Sequence, residues 1–288
     1  MTLAVVQALN GVTFAALLFL VASGFTLIFG LMRIVNLAHG ALYLLGGYIA
    51  LTVASKSASF ALGIGAAAAA IAFAGFLIDR FLLGFVKGFE LRQVLLTLGI
   101  ALFMNDLALV IWGGDTFTVP IPDALRGALS LGGVTYPRYR LFVLAVGVVM
   151  FVLLWFLLNR TRLGALIRAG VDDAPMLSAL GVDIDRLFAT TFAVGAALAG
   201  LAGVIAAPVF GIFPGMDIDA LIYSLIVVVV GGLGTLSGAL AGAALVGPAD
   251  TFGKVLFPQF ALALIFAIMA LVLLMRPTGL LGRVRITR

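Results

Sequence analysis

The chain has one histidine, His39, three residues after Asn36 and directly before Gly40. On a helix, residues three apart share a face. These groups lie between two long apolar runs, where a polar side chain is costly unless it is paired, hydrated or used. Gly46 and Gly47 follow and allow close backbone approach. An imidazole, an amide and bare backbone at this spacing fit two readings: the wall of a transport pathway, or a helix boundary with one satisfied histidine. Asn105 and Asp106 pose the same choice inside a later apolar run. Inserting an ionisable group at that depth costs at least about 2.5 kcal/mol, so it should face the bundle interior, water or a partner. They are either pathway residues or a hydrogen bond between helices. Gly232 and Gly234 join the candidates because they interrupt another apolar run.

Other chemistry is excluded by what is missing. With no cysteine and one histidine, a conventional zinc site is not expected, and no cofactor is implied. Gly247 to Gly253-Lys254 has one residue too many for a P-loop, and Val255 stands where Ser or Thr should hold magnesium. The glycines of 232–238 are misspaced for a dinucleotide fingerprint. No catalytic nucleophile, base and acid can be assembled, so the chain is read as non-enzymatic. Any ATP hydrolysis that drives it belongs to another polypeptide.

The elements that must position these residues follow from composition. The 288 residues are 64% hydrophobic and 10% charged, against about 25% charged in soluble domains. The expected fold class is an all-α polytopic membrane protein, read as a single transmembrane domain over 1–288. Candidate spans of about 20 apolar residues fall near 3–31, 37–54, 60–78, 93–112, 141–158, 187–211, 221–247 and 256–275, about eight segments. No basic residue precedes Arg33, so the first run is read as a retained span rather than a signal peptide. The longest joint, 113–140, carries Pro120, Pro122, Asp123, Gly132, Gly133 and Pro137, and reads as an extramembrane loop.

Charge orients the chain. Arg80, Lys87 and Arg92, then Arg160, Arg162, Arg168 and Arg186, then Arg276, Arg283, Arg285 and Arg288 mark three cytoplasmic segments. This positive-inside pattern accounts for the net charge of +5 and leaves no reason to invoke nucleic acid. Segment 213–220, with Asp217 and Asp219, falls outside; so do 113–140 and the N-terminus. An odd number of crossings must then separate 213 from 276, but two apolar runs lie between them. The glycine-rich run 221–247 is therefore expected to be broken or re-entrant, the alternative being one ordinary helix beside a misjudged neighbour. Breaks are tolerated only where protein or a cavity satisfies the freed backbone, and such helices border transport pathways. Two ladders of small residues, Gly195/Ala199/Gly203 and Gly234/Gly238/Gly242, predict close helix packing.

The joint 159–186 contains a short helix written out in local signals. Asp172 or Asp173 can cap it, Pro175 suits its first turn and Gly181 its C-terminal stop. Met176, Leu177 and Leu180 are predicted to form one apolar face. Two turns are too few to be stable alone, so this helix packs on its own bundle or docks into another protein.

Four stretches resemble the permease subunits of bacterial ABC importers for branched-chain amino acids, the LivH-type family. They are Gly24–Gly30 with Asn36–Gly40, Leu180–Asp183 running into Phe192–Gly200, Val229–Ala239, and Arg276–Arg283. The resemblance implies a bacterial inner-membrane subunit. It also implies a second related permease, two cytosolic ATP-binding subunits and a periplasmic substrate-binding protein as partners. The ligand would be leucine, isoleucine or valine; related permeases serve urea or short amides. Segment 172–183 matches the family's ATPase-coupling region, which implies that contact for Asp172, Asp173, Met176, Leu177, Leu180 and Gly181; Arg168, just before the segment, is a further coupling candidate. Ala174-Pro175 depart from the polar residues usual there. A stand-alone secondary transporter or channel would instead need several intramembrane charges, and Asp106 is the chief one available.

Overall fold

The computed structural model describes residues 2–32, 35–131 and 134–282. Arg33, Gly132, Gly133, Arg283, Arg285 and Arg288, used above, lie outside these residues. The described chain is helical almost throughout: α1 (Thr2–Met32), α2 (His39–Ser57), α3 (Phe60–Leu77), α4 (Glu90–Trp112), α5 (Arg138–Arg160), α6 (Arg162–Ala179), α7 (Ile184–Phe210), α8 (Met216–Gly231), α9 (Leu236–Leu256) and α10 (Ala261–Met275). A π-turn at Ile78–Leu82 and a 3-10 turn at Leu83–Val86 extend α3. The 113–140 joint holds a hairpin, β1 (Ala128–Leu131) antiparallel to β2 (Val134–Pro137).

Among the described residues six helices are long and apolar enough to cross a membrane, and seven spans result if the bent pair α8/α9 counts as one. The count of eight is corrected at α2. The 37–54 run is helical as expected, but it is not among these six. Its side chains from His39 to Tyr48 are all buried, against α3, α4, α7 and α8. A helix walled by protein has no need of a lipid-matching surface, and α2 accordingly carries His39, Tyr43 and Tyr48.

The 221–247 run is broken. Helices α8 and α9 meet at 112° across residues 232–235, so the interruption divides a longer segment, 216–256. Beyond the break α9 runs back along α1: Gly234 lies on Gly30, Gly247 on Ala15, and Gly11 on Pro248.

Small residues bring the bundle together around α7. A Cβ on Gly195 would come within 2.8 Å of the Gly24 carbonyl in α1, one on Gly200 within 3.0 Å of Ile71 in α3, and one on Gly203 within 2.0 Å of the Tyr43 carbonyl in α2. Lipid tails are as apolar as leucine, so helices associate by such close contact rather than by expelling water. The hairpin, the start of α5 and the rest of the 113–140 joint are fastened to the bundle by polar contacts. The Tyr136 hydroxyl meets Thr13 at 2.7 Å, Tyr139 donates to the Ile205 carbonyl at 2.9 Å, and Phe117 and Ile212 exchange two backbone hydrogen bonds at 2.8 Å.

Gly203→Ala should destabilise the fold by about 1–3 kcal/mol through overpacking. Gly99→Ala, where a Cβ meets nothing within 4 Å, should be neutral or slightly stabilising. Thermal unfolding of the two variants in detergent, side by side, checks both.

Candidate functional site

Helix α2 does not start where α1 stops. Its first residue, His39, places Nε2 at 2.9 Å from the Val21 carbonyl. Val21 stands 11 residues before Met32, about 16 Å back along α1. Residues 35–38 therefore lie back inside the bundle before α2 begins, and their non-helical backbone needs partners there. The Leu37 N–H donates to Thr97 Oγ1 at 3.2 Å, the Ala38 N–H to Asn36 Oδ1 at 3.1 Å, and the His39 N–H to the Asn36 carbonyl at 3.2 Å. A carbonyl only accepts, so Nε2 of His39 carries the proton. Nδ1 is then a free acceptor, and neither it nor Asn36 Nδ2 has a partner among the described residues. The Phe25 ring stands edge-on to the imidazole at 5.4 Å. Asn36 is 2% exposed and His39 0%, so both are enclosed in this conformation. Gly40 marks a helix crossing: a Cβ there would sit 2.0 Å from the Asp217 carbonyl.

The structure parts the two residues taken together from α4. Asn105 turns inward and donates from Nδ2 to Asp217 Oδ2 at 3.4 Å. Asp106 is exposed on the outer face, between Phe103, Leu107 and Val110. Asp217, in the segment that charge assigns to the outside, lies in the first turn of α8 and is 7% exposed. The signal was available: Asp217 and Asp219 directly precede an apolar run, and acids favour the positive end of a helix. Tyr48, missed as an apolar core position, stacks on Trp112 at 4.9 Å. Asp250 is buried and engaged by the Tyr223 hydroxyl at 2.8 Å and by Lys254 at 2.7 Å.

Gly232 and Gly234 form the α8/α9 break, where both have positive φ. Its freed carbonyls are met by the chain end. The Leu280 N–H donates to Val230 at 2.9 Å and the Leu281 N–H to Gly231 at 2.8 Å. A Cβ on Gly232 would lie 2.4 Å from the Gly282 nitrogen. Thr235 caps α9, accepting from the Gly238 N–H at 3.2 Å. Two glycine-rich stretches far apart in sequence thus make one joint.

Helix α6 breaks at Asp173 (φ −153°, ψ 89°). Of the two candidate caps, Asp173 does the work, accepting from the Met176 N–H at 2.9 Å. Gly181 ends the turn with φ +85°. The three apolar residues do not share one open face. Leu177 is buried against Ile167 and Leu187, while Met176 and Leu180 are exposed, because consecutive helical positions diverge by about 100°. Arg168 and Asp172 are exposed. Just after this segment Asp185 pairs with Lys87 at 2.7 Å. Sequence reasoning also missed Asp79, which is wholly buried, with neither carboxylate oxygen partnered among the described residues. No group of three metal-ligating side chains occurs among the described residues.

Comparison with known proteins gives the arrangement a context. Residues 7–273 match the family model described as branched-chain amino acid transport system, permease component. The chain is 32% identical to the high-affinity branched-chain amino acid transport system permease protein BraD of Pseudomonas aeruginosa, with 96% of this chain and 95% of that one aligned. It is 27% identical to the corresponding protein LivH of Escherichia coli K12 over the same shares. It is 29% identical to the autoinducer 2 import system permease protein LsrC of an Enterobacter strain, over 67% of this chain and 54% of that one. No solved structure matches.

Gly232→Ala should cost about 1–3 kcal/mol, from a strained backbone conformation and the clash with Gly282. Gly114→Ala, with open space around it, should be silent. The difference is read as the fraction of folded protein recovered after graded heating.

Proposed function

The chain belongs to the branched-chain amino acid transport system permease family, and on that premise we propose that it is the membrane-spanning subunit of an ATP-driven importer of branched-chain amino acids. The observation that carries the reading is the family match over nearly the whole chain, together with a buried polar seam where α2, α4 and α8 meet. The subunit is non-catalytic. Two cytosolic ATP-binding subunits, a second related permease and a periplasmic substrate-binding protein complete the transporter, and 159–186 and the C-terminus face the cytoplasm.

The coupling route is mechanical. The turn 174–180 presents exposed Met176 and Leu180 to an ATP-binding subunit, and Leu177 anchors it on Leu187 of α7. Motion of α7 reaches α1 through Gly24/Gly195 and α2 through Tyr43/Gly203, contacts with no slack. Close-packed interfaces of this kind switch between discrete arrangements rather than deform. Asn36 and His39 begin α2 inside the bundle and border the pathway, while Gly40, Gly232 and Gly234 set the backbone approach around it. The outward carboxylate of Asp106 is ill-suited to lipid, which supports a second permease on that face of α4.

The reading is tested by purifying the complex from native membranes and reconstituting it. Leucine uptake should require ATP and the substrate-binding protein. Uptake driven by an ion gradient without ATPase subunits would replace the reading with a secondary transporter. His39→Ala should lower uptake about tenfold by removing the contact that seats α2 on α1, with assembly retained on size exclusion. Leu180→Asp, a charge placed on the exposed apolar turn, should release the ATP-binding subunits, seen as altered stoichiometry on co-purification. Normal stoichiometry and hydrolysis in that variant would disprove the docking surface.

A further inference from the structure

Helix α2 packs on both α4 and α8, and each of the three carries a side-chain oxygen without a hydrogen-bond partner among the described residues. Tyr48 comes from α2, Asn105 from α4 and Asp217 from α8. Gly40 lets α2 touch the α8 backbone at Asp217, and the Asn105 amide reaches across from α4 to the same carboxylate. Tyr48 is held against α4 by stacking on Trp112, whose Nε1 donates to Thr52 at 2.8 Å. Within this cluster Tyr48 Oη, Asn105 Oδ1 and Asp217 Oδ1 have no hydrogen-bond partner among the described residues. The amide cannot be turned round, because Oδ1 would then face the carboxylate oxygen that Nδ2 now serves.

We propose that Tyr48, Asn105 and Asp217 form a binding niche for the α-ammonium group of the transported amino acid. The inference rests on the substrate class proposed above. All three free atoms can accept, and an ammonium presents three donors and no acceptor. Among the described residues no lysine, arginine or histidine pairs with Asp217, so a carboxylate inside the bundle stands without a counter-charge. Backbone N–H groups at the start of α8 meet this carboxylate in part, and a cation would stabilise it further. The positive end of α8 favours the charged form. A site built to hydrogen-bond an N–H rejects an analogue that lacks it, because its buried acceptors are then left empty. The niche would therefore hold leucine and discard its deaminated counterpart.

The natural chain has no cysteine, so a single thiol reports cleanly. Ala101→Cys places one a helical turn before Asn105, on the same face. In the assembled complex without substrate-binding protein, labelling by neutral 2-hydroxyethyl methanethiosulfonate should be slowed several-fold by leucine and left unchanged by 4-methylpentanoate, the same molecule without its amine. Asp217→Asn should abolish the protection. Equal protection by both compounds, or protection that survives Asp217→Asn, would overturn the proposal. Uptake supplies an independent arm in proteoliposomes: Asp217→Asn should lower leucine transport about tenfold, with Asp217→Glu recovering part of it. Should Asp217→Asn fail to assemble, Tyr48→Phe removes one acceptor and keeps the ring, and a severalfold loss is expected. Wild-type rates in Tyr48→Phe and Asp217→Asn alike would dismiss the niche while leaving the permease reading intact. A wild-type complex that moves no leucine would dismiss the permease reading itself. Wild-type uptake that collapses when sodium is replaced by N-methylglucamine would assign the niche to an inorganic cation and overturn the proposal.

Discussion

Backbone released from helices inside this bundle has to find partners within it. Three joints interrupt the helices, at 35–38, 211–215 and 232–235, and each is closed differently. The first borrows Thr97 of α4 and its own Asn36. The second pairs Ile212 with Phe117 as a fragment of sheet. The third takes the chain end as a lid, with Leu280 and Leu281 bonding to Val230 and Gly231. In lipid an unmet carbonyl or amide costs several kcal/mol, so these pairings decide which helices stand next to which.

Glycine makes the pairings reachable. At Gly40, Gly203 and Gly231 a Cβ would come within about 2 Å of a carbonyl oxygen on another helix, a distance no side chain survives. The same economy explains α2. Enclosed by protein, it spends its surface on backbone contact and on His39, Tyr43 and Tyr48, where a lipid-facing helix such as α5 spends it on valine, leucine and phenylalanine.

Polar groups in the interior fall into two classes. Asp250 is satisfied twice and ties α8 to α9 through Tyr223 and Lys254, which is a structural use. Asn36 and His39 at the start of α2, Asn105 against Asp217 in the first turn of α8, and Tyr48 further along α2 each keep one atom without a partner among the described residues. Asp79 and Gln93, elsewhere in the bundle, also keep oxygens without a hydrogen-bond partner among the described residues, so these interior groups are not consumed by one closed network.

The sequence alone determined the class, the apolar runs, the interruption of 221–247, and the capped turn after Asp173, because each is written within a few neighbouring residues: run length, glycine spacing, a cap and its stop. Composition also pointed to Asn36, His39 and Asn105, since polar residues stand out against apolar runs. Only the tertiary structure decided that α2 is enclosed rather than a further span, that Leu177 faces inward while Met176 and Leu180 face out, that Asn105 and Asp106 part company, and that Asp217 belongs to the interior. These are facts of which helix lies against which face. Contacts between segments scores of residues apart, such as Asp217 with Gly40 or Gly282 with Gly232, are set by packing and leave no periodic mark in either segment.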